Sequence, residues 1–168
     1  MRHGADGQPG WTPVSGDGFV TLADGSLRWG RFGAAGVLVR CSGGDNQPWS
    51  YFLARRSEWC HQGGCWAIPG GALNQGESPV EGALREFTEE VGRVLDEAAF
   101  RVVEVHEDDH GGWSYWTVVV EVPEPFAAPE PLNWETAETG WVAHDRLAEL
   151  ELHRAFRATL IRLGLLQA

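Results

Sequence analysis

Residues 66–92, WAIPGGALNQGESPVEGALREFTEEVG, constrain the fold more than any other stretch, because a rigid turn runs straight into a helix marked at both ends. Ser78 is a good N-cap, Pro79 takes the favoured first helical position, and Glu81 completes an S-x-x-E capping box. Gly92 supplies the stop, so the spacing predicts a helix over 79–91. Val80, Leu84, Phe87 and Val91 recur at i, i+4, i+7 and i+11 and make one apolar stripe for a core. Glu86, Glu89 and Glu90 gather on an arc away from that stripe, where Glu86 and Glu90 repel each other at i,i+4. Arg85, four residues after Glu81 and four before Glu89, can brace either carboxylate.

A solvated face is the ordinary meaning of a charge run. Here one arginine accompanies three acids, in a chain whose formal net charge is already −11. The preceding turn is also unusually specific. Pro69 fixes the backbone, while Gly70 and Gly71 permit positive φ or the close approach of a ligand. Such a turn can expose carbonyl oxygens, hard ligands matched to Mg²⁺ or Mn²⁺. A hard cation held by carboxylates and a carbonyl would relieve the repulsion and give phosphate oxygens a place to bind.

The remaining chain sets the frame. Its 168 residues suit one domain, and 43% hydrophobic with 22% charged residues is a globular composition. No basic stripe exists to displace counterions, which argues against a nucleic-acid polymer as partner. No run of apolar residues is long enough for a membrane span, and MRHGADGQPG lacks the apolar core of a signal peptide. Three cysteines fit a reducing cytoplasm better than a disulfide framework. Residues 1–18, rich in Gly with Pro9 and Pro13, are expected to be a flexible lead-in, leaving 19–168 as a single domain.

FVTLADGSLRW reads as a hairpin turning at Asp24-Gly25. AAGVLVR (34–40), WSYFLARR (49–56), FRVVEVHE (100–107) and WSYWTVVVEV (113–122) read as strands, and a short one is expected near TGWVA. Residues 145–163 carry a helical apolar pattern with a break near Leu152-His153.

Gly71, Glu77 and then Arg85-Glu86-Phe87-Thr88-Glu89-Glu90-Val91-Gly92 resemble the Nudix box, G-x5-E-x7-R-E-U-x-E-E-x-G-U, with every fixed letter in place over residues 71–93. Phe87 replaces the usual aliphatic residue, and Arg93 stands where the last apolar residue belongs. The resemblance implies an α/β fold, an α/β/α sandwich with a mixed sheet. It also implies divalent-metal hydrolysis of a nucleoside diphosphate linked to another moiety. Carried over, it makes Glu86, Glu89 and Glu90 metal ligands, one of them a base towards water, with the Gly71 carbonyl as a further ligand. Glu77 and Arg85 would join loop to helix.

Similar proteins often take another acid from a late loop. Glu135 and Glu138 are preferred over Asp108 and Asp109, because the corresponding family stretch ends in a Trp-led strand. Arg55 and Arg56 are phosphate-contact candidates, though exposed strand-end pairs are commoner. Trp66 and Trp113 stand among five tryptophans from which one can stack on a base; Gly70 and Asp109 complete the substrate-binding candidates. Cys60, His61 and Cys65 lack the paired spacing of a zinc site and instead wall the pocket. The expected substrate is a small nucleotide, with (deoxy)nucleoside triphosphates, oxidised ones included, ahead of ADP-ribose and other nucleotide sugars. The rival class is a non-catalytic nucleotide- or protein-binding module. A homodimer is compatible with all of these.

Overall fold

The computed structural model describes residues 14–45, 47–93, 95 and 99–168. Nine strands are described: β1 (Phe19–Thr21), β2 (Leu27–Trp29), β3 (Ala34–Cys41), β4 (Ser50–Arg56), β5 (Trp66–Ala67), β6 (Gly70–Ala72), β7 (Arg101–Asp109), β8 (Ser114–Val122) and β9 (Thr136–Ala143). The helices are α1 (Pro79–Val91), a 3₁₀ helix (His144–Glu149) and α2 (Arg154–Arg162). None is long and apolar enough to cross a membrane.

β3 is central. It runs parallel to β8 along its whole length, while its other edge is shared between antiparallel partners, β6 at one end and β4 at the other. β9 extends the sheet beyond β4, and β7 beyond β8. The sheet is therefore mixed, and its centre is buried on both faces, which is why AAGVLVRC is apolar throughout instead of alternating. Val37, Val39, Val118 and Val120 face α1 through Phe87 and Val91. Leu38, Tyr51, Leu53 and Val119 face the C-terminal helices through Leu147, Phe156 and Leu160. This is the expected three-layer α/β/α arrangement, with the helical break falling where the sequence placed it.

Phe87 is fully buried against Phe52 and Phe126, so the aromatic variant fills the core position. Arg93 lays its guanidinium over the Phe126 ring at 4.6 Å and covers the helix exit by cation–π contact.

Three expectations need correction. WAIPGG is not all loop, because β5 and β6 pair with β4 and β3 through backbone alone. β7 runs on past the expected end at 107, so Asp108 and Asp109 are its last two residues. Of the expected flexible lead-in, residues 1–13 lie outside the described residues. Residues 14–18 are tied in: the Gly16 amide donates to Asn74 Oδ1 at 3.2 Å, and its carbonyl accepts from Arg31.

Candidate active site

The capping box fixes where α1 begins. Ser78 Oγ accepts from the Glu81 amide, and Glu81 Oε2 accepts from the Ser78 amide at 2.9 Å. Glu81 is thereby committed to the cap and is not braced by Arg85. Arg85 instead forks onto Glu77, with Nε to Oε1 at 2.8 Å and Nη2 to Oε2 at 2.9 Å. Nη2 also donates to the Ala72 carbonyl, and Glu77 accepts from the Asn74 amide. These bonds clamp β6, the following loop and α1 into one unit. Hydrogen bonding to Arg85 holds the Glu77 carboxyl below the usual carboxylate range, and Glu77 raises Arg85 in turn.

That clamp brings the acids to the glycine strand. An added Cβ on Gly71 would stand 2.5 Å from Glu86 Cδ, so only glycine leaves room for this carboxylate. Glu86 accepts from Arg85 Nη1 at 2.8 Å, the same nitrogen that reaches Glu89 at 3.3 Å. Glu90 accepts from the Gly70 amide at 3.3 Å. Burial raises Glu86, with Arg85 opposing. Burial, followed by repulsion from Glu86, pushes Glu90 up to about 8. Tyr115, buried beneath Gly70, is also raised, first by burial and then by Glu90 and Glu86.

Among the described residues no three acidic, histidine or cysteine side chains converge as a finished metal cage. Arg85 bridges Glu86 and Glu89, while Glu90 is turned to the Gly70 amide. The donor set nevertheless fits a hard divalent cation: carboxylate oxygens beside the Gly70–Gly71 backbone, two of them on carboxyls that burial shifts towards the neutral form.

These residues line a cleft of about 1090 Å³. Glu135 joins Glu90 in it, whereas Glu138 pairs across the β4–β9 register with Arg55 at 3.1 Å. Arg55 also reaches Glu58, so the strand-end ion pair is its observed state. Arg56 lines the cleft and makes no ion pair among the described residues; its Nε donates to the His61 carbonyl. Cys60 and His61 form part of the wall, as expected.

Four candidates are not brought together as expected. Trp66 packs with Leu152 in the core under α2. The Trp113 indole donates to the Gly30 carbonyl at 2.9 Å and so supports the β8 start. Asp109 caps its own turn by accepting from the Gly111 amide, and Asp108 pairs with Arg162. The cleft wall also contains residues the motif does not mark: Asp17, Phe19, Leu27, Trp29, Asn74 and Trp134. For Phe19, Leu27 and Trp29 the sequence signal was the expected hairpin; Asp17, Asn74 and Trp134 had none.

A family model described as NUDIX domain matches residues 30–163. A Mycobacterium tuberculosis protein provisionally named 8-oxo-dGTP diphosphatase 3 is 41% identical over 152 residues, covering 88% of this chain and 69% of that protein. A Bifidobacterium longum nucleoside triphosphate pyrophosphatase/Nudix hydrolase fusion protein is 38% identical over 144 residues, 84% of this chain and 30% of its own length. The solved structure of RenU, a Nudix hydrolase from M. smegmatis, superimposes with a TM-score of 0.76 at 38% identity, covering 89% of this chain and 93% of that one. The complete glutamate motif, the three-layer fold and the family match agree: the chain belongs to the Nudix family.

Proposed function

We propose that the protein is a metal-dependent nucleotide pyrophosphohydrolase, acting on (deoxy)nucleoside triphosphates that include oxidised ones. The observation that carries this reading is the pair of half-buried carboxyls, Glu86 and Glu90, set against the Gly70–Gly71 backbone in an open cleft. A purely structural acidic face would leave these groups solvated. The name of the M. tuberculosis relative supports the choice of substrate class.

Glu86, Glu89, Glu90 and the Gly71 carbonyl are the groups that would hold Mg²⁺ or Mn²⁺, with Glu135 as the late-loop acid. Glu138 is spoken for by Arg55. Bound there, such a cation would neutralise phosphate charge and acidify water. The chain's own groups do the rest. Arg85 holds Glu86 and the loop in register, and Arg56 offers a positive charge to a phosphate oxygen. The reaction forms one bond from a water oxygen to phosphorus and breaks one anhydride P–O bond. The water proton passes to a carboxylate of the glutamate cluster.

A panel of nucleoside triphosphates, 8-oxo-dGTP and ADP-ribose, assayed with Mg²⁺ or Mn²⁺ and with products weighed by mass, tests the reading. Turnover of triphosphates is expected, and Glu86→Gln and Glu90→Gln should each abolish it in a folded protein. Nucleotide binding without hydrolysis would favour the non-catalytic module instead.

A further inference from the structure

β1 and β2 form a two-stranded ribbon outside the main sheet. Their register sets Phe19 opposite Trp29 and Thr21 opposite Leu27, so the period of two puts all four on one face. The three large apolar members stay exposed, at 67% for Phe19, 60% for Leu27 and 46% for Trp29. All three line the cleft that contains Glu86, Glu89 and Glu90. A cluster of exposed apolar side chains bordering polar groups is what a ligand-binding wall looks like.

The ribbon is also held still. The Gly30 amide donates to the Gly18 carbonyl and the Gln75 amide to the Val14 carbonyl, beside the Gly16–Asn74 bond. The wall is thus fastened to the 73–75 segment that joins β6 to α1. Phe19 meets the Trp29 indole edge to face, with centroids 4.9 Å apart, which restricts how the indole can turn. Trp134, the other exposed aromatic in the cleft, is 73% exposed and has no ring packed against it among the described residues. A stacking platform works best when it is preorganised, and Trp29 meets that condition where Trp134 does not.

Deepening the reading above, and resting on it, we propose that Trp29 is the platform on which the nucleobase stacks, with Phe19 as its positioning residue. A bicyclic purine overlaps an indole more fully than a pyrimidine does, so the ribbon face selects purine nucleotides. An added oxygen on the purine edge leaves both of its faces free to stack.

Calorimetric binding of dGTP, dCTP and inorganic tripolyphosphate to the full chain, with Ca²⁺ replacing Mg²⁺ to slow turnover, tests this. The wild-type protein should prefer dGTP to dCTP. Trp29→Leu, which keeps an apolar cover, should weaken dGTP roughly tenfold to a hundredfold and erase the preference. Tripolyphosphate, which has no base, should bind Trp29→Leu as it binds the wild type. Trp29→Phe should keep most of the preference, and Phe19→Leu should reduce it less than Trp29→Leu does. An unchanged dGTP preference in Trp29→Leu overturns the assignment, as does a parallel loss of tripolyphosphate binding. Wild-type binding with this base preference but no Mg²⁺-dependent hydrolysis would instead overturn the catalytic reading and leave Trp29's role standing.

Discussion

Gly71 is the residue at which sequence, backbone and chemistry meet most tightly. Its hydrogens face Glu86, and a methyl group there would lie 2.6 Å from both carboxylate oxygens. Gly71→Ala must therefore push Glu86 away from the glycine strand while leaving the β3–β6 pairing to form. We expect kcat/KM to fall roughly a hundredfold, as for a misplacement of about 1 Å at a reacting centre. Urea denaturation should show the fold retained, and unchanged kinetics would mean that the placement of Glu86 does not matter. The fixed letters of the motif made the Glu77–Arg85 link between loop and helix legible from sequence. The choice between Glu135 and Glu138 was not, because it depends on Arg55 taking one of them across a strand pair. Trp66 and Trp113 were misleading for a related reason. A tryptophan's composition cannot say whether its indole points into a core or a cleft.

At the scale of elements, α1 is the piece most dependent on local chemistry. Its first turn is closed by the Ser78–Glu81 box, and its last by the Gly92 amide donating to the Thr88 carbonyl. Ser78→Ala should cost about 1 kcal/mol, read as a lower urea midpoint. The active-site clamp through Glu77 does not use the Ser78 side chain, so turnover at saturating substrate should hardly change. A stability loss matched by an equal loss of kcat would show that the cap also sets the acids. Helix 79–91 and, to within a residue at one end, strands β3 and β8 were visible beforehand because capping and β-branched runs are local signals. β5 and β6 were not, since strands of two or three residues form only where a partner's backbone groups are waiting.

The whole molecule shows how distant segments share the cleft. The start of α2 meets both β5 and the loop carrying Cys60 and His61: the His153 amide donates to the Trp66 carbonyl and the Arg154 amide to Gln62 Oε1. Burial, then the charges of Arg56 and His61, holds the His153 imidazole below its usual value. The unfolded chain takes up that proton first as pH falls. Stability from this group is complete above about pH 6.5 and declines as pH drops through the folded value. The raised Glu86 and Glu90 act the other way, gaining stability as pH falls, so thermal melts between neutral and mildly acid pH should show His153→Gln gaining more, or losing less, than the wild type. His153 makes no side-chain cap bond, so the substitution removes the titration without removing a cap. Parallel pH profiles in the two proteins would show that His153 contributes nothing to the dependence. By itself, the sequence determined the helix, its acids, the glycine turn and the family, all written in spacings shorter than one supersecondary unit. Only the tertiary structure decided that Glu135 and not Glu138 lines the cleft with Glu90, that Arg56 makes no ion pair among the described residues, and that a separate hairpin brings Phe19 and Trp29 to the same cleft. Those are contacts between residues far apart in the chain, and no local period or spacing encodes them.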